Sequence, residues 1–124
     1  MCASKQETKK QKNHTVECLE PWYSFIKQGK KTVEGRKAIP RWCKIKVGDT
    51  ITFTDGKDDK FSVKVTGVNK YNSIEEYLIS ETLQRALPGI PTIEEGLKIY
   101  YQWSKEDDIK KYGFLGIQIE LNIS

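Results

Sequence analysis

The scarcities of this chain narrow its chemistry first. It has a single histidine, His14, and three cysteines, Cys2, Cys18 and Cys43, with no C-x-x-C spacing among them. That supply of donors does not make a zinc site, so no metal is expected. An odd cysteine count without paired spacing argues against a disulfide framework and points to a reducing, cytoplasmic setting. No apolar run approaches the ~20 residues needed to cross a bilayer. The polar, lysine-rich N-terminus lacks the apolar stretch of a signal peptide, so no membrane partner is expected either. There is no internal repeat, no cofactor is expected, and the chain reads as a monomer.

What remains is an ordinary globular composition, 37% hydrophobic and 31% charged over 124 residues. A chain of this length makes one domain that buries roughly two-thirds of its unfolded surface. Residues 1–13, with Lys5, Lys9, Lys10 and Lys12, read as a disordered basic tail, and residues 14–124 as the folded domain. The net charge of +4 is mild but unevenly spread. From Lys27 to Lys46 a run of lysines and arginines faces Glu34 alone. Such a balance permits a nucleic-acid partner without requiring one.

Inside that basic segment lies Gly29-Lys30-Lys31-Thr32-Val33-Glu34-Gly35-Arg36. Read as a strand, it puts Thr32, Glu34 and Arg36 on one face, with Lys31 and Val33 on the other. Hydroxyl, carboxylate and guanidinium in one row suit the wall of a polar cleft, and Gly35 leaves room for close approach to the backbone. The same spacing also suits a surface strand on which Glu34 and Arg36 merely pair.

The flanking elements follow from periodicity. Residues 14–19 alternate as a strand. A helix runs from Pro21 to Gly29 with Trp22, Phe25 and Ile26 on its core stripe. Residues 37–46 read as a loop broken by Pro40. Thr50 to Thr54 and Lys60 to Tyr71 form a hairpin, and a phase slip at Gly67 and Val68 reads as a β-bulge. Ser73 and Thr92 each open a capping box, the second starting the longer helix with Ile93, Leu97, Tyr100 and Tyr101 buried. Ser80 to Leu87 suggests a further short helix, residues 105–111 a solvated connection, and Leu115 to Leu121 a half-buried strand. Strands at both ends with helices inserted before the last one predict an α+β domain, a small curled sheet or barrel of about five to six strands with flanking helices.

The order of these signals is familiar. A Trp-containing helix is followed by the octet, Ile45-Lys46-Val47-Gly48-Asp49, a Leu-Pro-Gly segment before a Tyr-rich helix, and Tyr112-Gly113 opening the last strand. This resembles the ASCH domain family, a branch of the PUA-like β-barrels, from about Val16 to the C-terminus. The resemblance implies a basic cleft beside the octet that binds RNA or a modified nucleoside. The ligand-binding candidates are Lys30, Lys31, Thr32, Glu34, Arg36, Arg41, Trp42, Trp22 and Tyr71, the aromatics serving either as packing or as base-stacking platforms.

The family also contains amidohydrolases acting on N4-acetylcytidine and a member described as a ribonuclease. On the amidohydrolase pattern Lys31, Thr32 and Glu34 would be the catalytic candidates. Lys31 takes the lysine position, but Glu34 stands where a threonine belongs, and no glutamate occurs at Pro88-Gly89-Ile90-Pro91. A carboxylate beside a lysine stabilises its charged form, which disfavours a lysine base. Binding is therefore the expected function. An amidohydrolase of N4-acylated cytidine and a metal-independent ribonuclease are the alternatives.

Overall fold

A computed structural model describes residues 11–121. Most of the basic tail, up to residue 10, lies outside them. Five strands form one sheet, β1 (Asn13–Glu17), β2 (Val33–Lys37), β3 (Thr50–Thr54), β4 (Lys60–Tyr71) and β5 (Phe114–Leu121), in the spatial order β1-β3-β4-β5-β2. The β1–β3 pairing is parallel and the other three are antiparallel. Six helical segments surround it among the described residues: α1 (Trp22–Lys27), α2 (Pro40–Cys43), α3 (Ile74–Glu81), α4 (Leu83–Ala86), α5 (Ile93–Tyr100) and α6 (Glu106–Tyr112). The domain is α+β, its sheet curling as a half-barrel.

Local chemistry accounts for most boundaries. The β4–β5 ladder shifts register between Val65 and Gly67, which is the bulge the broken phase anticipates. Ser73 Oγ accepts from the Glu76 amide at 3.0 Å and Thr92 Oγ1 from the Glu95 amide at 3.1 Å, so both capping boxes start helices. The two helices are equally long, eight residues each. The first box continues to Glu81, and a separate turn, α4, follows Thr82.

Elsewhere tertiary packing overrides the pattern. The stretch read as a loop after β2 holds α2, because Pro40 sits in its first turn, where a missing N–H costs nothing. This turn buries Trp42. The supposed solvated connection is α6, anchored by the buried Ile109. On α1 the buried pair is Tyr23 and Ile26, while Trp22 and Phe25 are only half-buried. On α5 it is Gly96 and Tyr100, and Tyr101 lies past the helix end, exposed. The final strand is not half-buried over its length. Phe114, Leu115, Gly116 and Ile117 are all buried, because β5 is central and covered on both faces.

Two apolar clusters result. One lies inside the curl of the sheet and joins Val16, Tyr23, Ile26, Trp42, Phe53, Val65 and Ile117. The other joins Val33, Tyr77, Leu78, Leu87, Tyr100 and Phe114 beneath α3 to α5. Strand β2 stands between them. Val33 and Gly35 face the second cluster, and Ala38, in phase with Glu34 and Arg36, belongs to the first. A Cβ on Gly35 would lie 2.7 Å from both Phe114 Cε2 and Tyr77 Oη. Gly35→Ala is therefore expected to destabilise the fold by about 1–3 kcal/mol through overpacking. Urea unfolding at neutral pH measures this, and an unchanged midpoint would refute the assignment.

Candidate functional site

Residues 29–32 do not join the strand, and this sets the site. Gly29 takes a positive φ just past the C-cap of α1, and the amides of Lys30 and Lys31 both donate to Phe25 O, at 2.8 and 3.0 Å. The chain is still wrapped around the helix end at Lys31, so strict alternation starts only at Val33. The expectation that Lys31 points away from Glu34 is thereby corrected. Its side chain turns inward beside Glu34, and Thr32 spends its backbone on Arg85 O and Ile119 N instead.

Lys31 is 2% exposed and Glu34 7%. The lysine Nζ donates to the carbonyl oxygens of Val33 at 2.6 Å and Ala86 at 2.5 Å, and stands 3.5 Å from Glu34 Oε1. Arg36 grips the other carboxylate oxygen, Oε2, through Nε at 2.9 Å and Nη2 at 2.6 Å. The Arg36 guanidinium also lies over the Trp42 ring, 4.7 Å from its centroid, and that of Arg41 lies 4.4 Å from it. Cation–π contacts of this kind strengthen when desolvated.

The titration behaviour follows. Burial pushes the Glu34 pKa up, but Arg36 and then Lys31 outweigh it and hold the carboxyl below its ordinary value. Burial pulls the Lys31 pKa down, against the Glu34 charge that raises it. The geometry nonetheless fits the ammonium form. Two carbonyls and a carboxylate match its three N–H donors, whereas a neutral amine would turn its lone pair on one of those oxygens. Cys18 is a free thiol facing the same space, and burial together with Glu34 pushes its pKa up to about 12, so it stays protonated.

These groups line a cavity of about 270 Å³ between the two apolar clusters. Lys31, Glu34, Gly35 and Arg36 form one side. Trp22, Trp42 and Trp103, all the tryptophans of the chain, also line it. Among the described residues no group of three or more His, Cys, Asp or Glu side chains could hold a metal ion. No helix among them is long and apolar enough to cross a membrane.

The family model described as "ASCH domain" matches residues 16–122. This chain belongs to the ASCH domain family. A hypothetical protein, PH0355, is 40% identical over 88% of this chain and 98% of its own, with a TM-score of 0.81. Protein PF0455 from Pyrococcus furiosus is 37% identical over 90% of this chain and 99% of its own, TM-score 0.75. A mutant ZmASCH from Zymomonas mobilis shares the PUA-like fold at 16% identity, TM-score 0.62, over 89% of this chain and 68% of its own. No match was found among proteins with curated descriptions.

In this ASCH domain the expected site residues divide. Lys31, Glu34, Arg36, Trp42 and Trp22 meet at the cavity. Lys30 and Arg41 are exposed outside it, and Thr32 is not part of its lining. Tyr71 lies apart, its hydroxyl donating to Glu81 at 2.5 Å and its ring packed edge-on against Tyr77. The sequence reading overlooked Tyr100, Trp103, Ser104, Leu87 and Glu17, which line the cavity as well. The aromatic run Tyr100-Tyr101-Gln102-Trp103 was the available signal.

Glu34→Gln leaves buried Lys31 and half-buried Arg36 without their counter-ion and is expected to cost about 3 kcal/mol at pH 7. Because the folded pKa of Glu34 is depressed, its contribution is complete above the ordinary carboxyl value of 4.5. It is lost as pH falls through the lowered value. The stability gap between wild type and variant, followed by urea unfolding, is expected to close below pH 4.5. A pH-independent gap would contradict this account.

Proposed function

We propose that this ASCH domain binds RNA or a modified nucleoside by taking one base into the cavity. The observation that carries the reading is the gathering of all three tryptophans around a charge group whose two cations share the Glu34 carboxylate. Both cations are already held on protein acceptors and the Glu34 carboxylate opposes an anion, so the interior favours a flat polar ring over a phosphate. A volume of about 270 Å³ sits near the lower end of ligand sites, about 300 Å³, and suits one base rather than a length of polymer. Unstacked bases are held by aromatic side chains and by hydrogen bonds along their edges.

The roles expected of individual residues shift accordingly. Arg36 is committed to Glu34 and Trp42, which leaves exposed Lys30 and Arg41 for backbone phosphates. Trp42 is 9% exposed and already carries two guanidinium groups, so stacking falls to Trp103, 49% exposed, and half-buried Trp22. Few phosphates are then engaged. With two phosphates engaged, a log–log salt slope of about −1.4 is expected on short single-stranded RNA. Tryptophan fluorescence titrated with RNA and with nucleosides tests the reading, and no response to any of them would remove it.

Hydrolysis of an N-acyl cytosine fits less well. Lys31 has its three donors placed on three acceptors, Leu87 faces the cavity from the end of α4, and Glu94 and Glu95 are exposed on α5. The backbone amide and carboxylate of Glu95 serve the Thr92 cap. His14, the residue a ribonuclease would use first, pairs with Asp49 at 2.8 Å instead. Incubation with N4-acetylcytidine is expected to release no cytidine on chromatography. Turnover abolished by Lys31→Ala would reverse this ranking.

A further inference from the structure

Tyr77 and Tyr100 share one hydrogen bond, Oη to Oη at 2.8 Å, and its direction can be reasoned out. Tyr77 is fully buried at 0% exposure, packed edge-to-face against Tyr100 and Phe114, with Gly35 against its hydroxyl. Among the described residues its hydroxyl has no other acceptor than Tyr100. A buried O–H left unpaired costs the full desolvation of that group, so Tyr77 donates and Tyr100 accepts. The proton of Tyr100 is thereby excluded from that bond. Tyr100 is 7% exposed and lines the cavity, where no atom of the described residues accepts its proton.

Two buried groups of the cavity wall, each more than nine-tenths buried, therefore have spare capacity of opposite kinds, beside the Ser104 hydroxyl, which can act either way. The donor is the Tyr100 hydroxyl. The acceptor is Glu34, whose Oε1 has only Lys31 at 3.5 Å while Oε2 takes both bonds from Arg36. An ionised carboxylate accepts and does not donate, and it offers about four lone-pair sites in all. The two groups together ask for a ligand edge that carries an N–H beside an acceptor.

We propose that Tyr100 is a specificity-determining donor, giving its proton to a carbonyl oxygen on the buried edge of the ligand while Glu34 accepts from the neighbouring N–H. This rests on the base-binding reading above and names its ligand class, a base with a lactam edge. A phosphate or carboxylate offers acceptors only and leaves Glu34 opposed. Burial also pushes the Tyr100 phenol well above its ordinary pKa, which keeps it a donor across the accessible pH range.

The test is calorimetric titration of the full chain with two matched pairs, inosine with 6-thioinosine and uridine with 4-thiouridine. Sulfur is a weak acceptor, so the exchange weakens the one bond at issue. In the wild type it is expected to lower affinity about three- to tenfold in at least one pair, the range of a single neutral hydrogen bond. Tyr100→Phe is expected to bind oxygen and sulfur forms alike, and Tyr77→Phe to keep the penalty, since Tyr100 can still donate. A purely structural role for Tyr100 would lower both affinities and leave their ratio unchanged. The same sulfur penalty in wild type and Tyr100→Phe overturns the proposal while leaving base binding standing. Absence of any penalty in the wild type also overturns it, and this arm decides if the variant does not fold. If none of the nucleosides binds the wild type, this inference falls, and base binding is decided by the RNA titration.

Discussion

Burying Lys31 and Glu34, with half-buried Arg36 against them, is the constraint around which the rest of the domain is arranged. Removing a charge from water costs several kcal/mol per ion, and attraction between the ions repays it only when the remaining hydrogen bonds are filled. Here the backbone fills them. The end of α4 supplies Ala86 O and the start of β2 supplies Val33 O, so the short helical turn and the edge strand are held where the lysine needs them. Arg36, partly open to solvent, is steadied by Trp42, which requires α2 after β2 rather than an open loop. Among the described residues no buried side-chain polar atom lacks a partner.

The position of the cavity follows from the same arrangement. A sheet curled over one apolar cluster and capped outside by a second leaves a seam where β2, at the edge, meets α1, α2 and α5. Charge on one face of β2 and Val33 with Gly35 on the other make that strand a partition between two cores. A partition of this kind cannot itself be apolar on both faces without closing the seam. The cavity is thus a by-product of how the two cores are divided, lined by residues from each.

Much of this was legible in the sequence wherever the signal is local. The hairpin, the bulge near Gly67, both capping hydroxyls and the pairing of Glu34 with Arg36 depend on neighbours within a few positions, and they read correctly. The failures share a cause. Lys31 was assigned to the wrong face because the helix C-terminus continues to direct the chain past Gly29. Residues 105–111 read as solvated because one buried residue, Ile109, was outvoted by the charges around it. Strand β5 read as half-buried because alternation cannot reveal that Gly116 and Gln118 lie beneath Glu81, which accepts from Gln118. Tyr100 was seen only as a core residue, and its role as a donor depends on Tyr77, which lies on a different helix.

The placement of β5 also governs the order of assembly. Strand β2 has one partner in the sheet, β5, which is the last strand to be made. Until it arrives, the β1–β3–β4 portion can pair, yet the strand bearing the buried charges has no sheet to join, and closing so long a loop is slow. Until β5 pairs with it, the strand carrying Glu34 and its cations has no sheet neighbour to cover them. Their close spacing in sequence lets the three charges find one another before they are desolvated, so the costly step of burial operates on a group already paired.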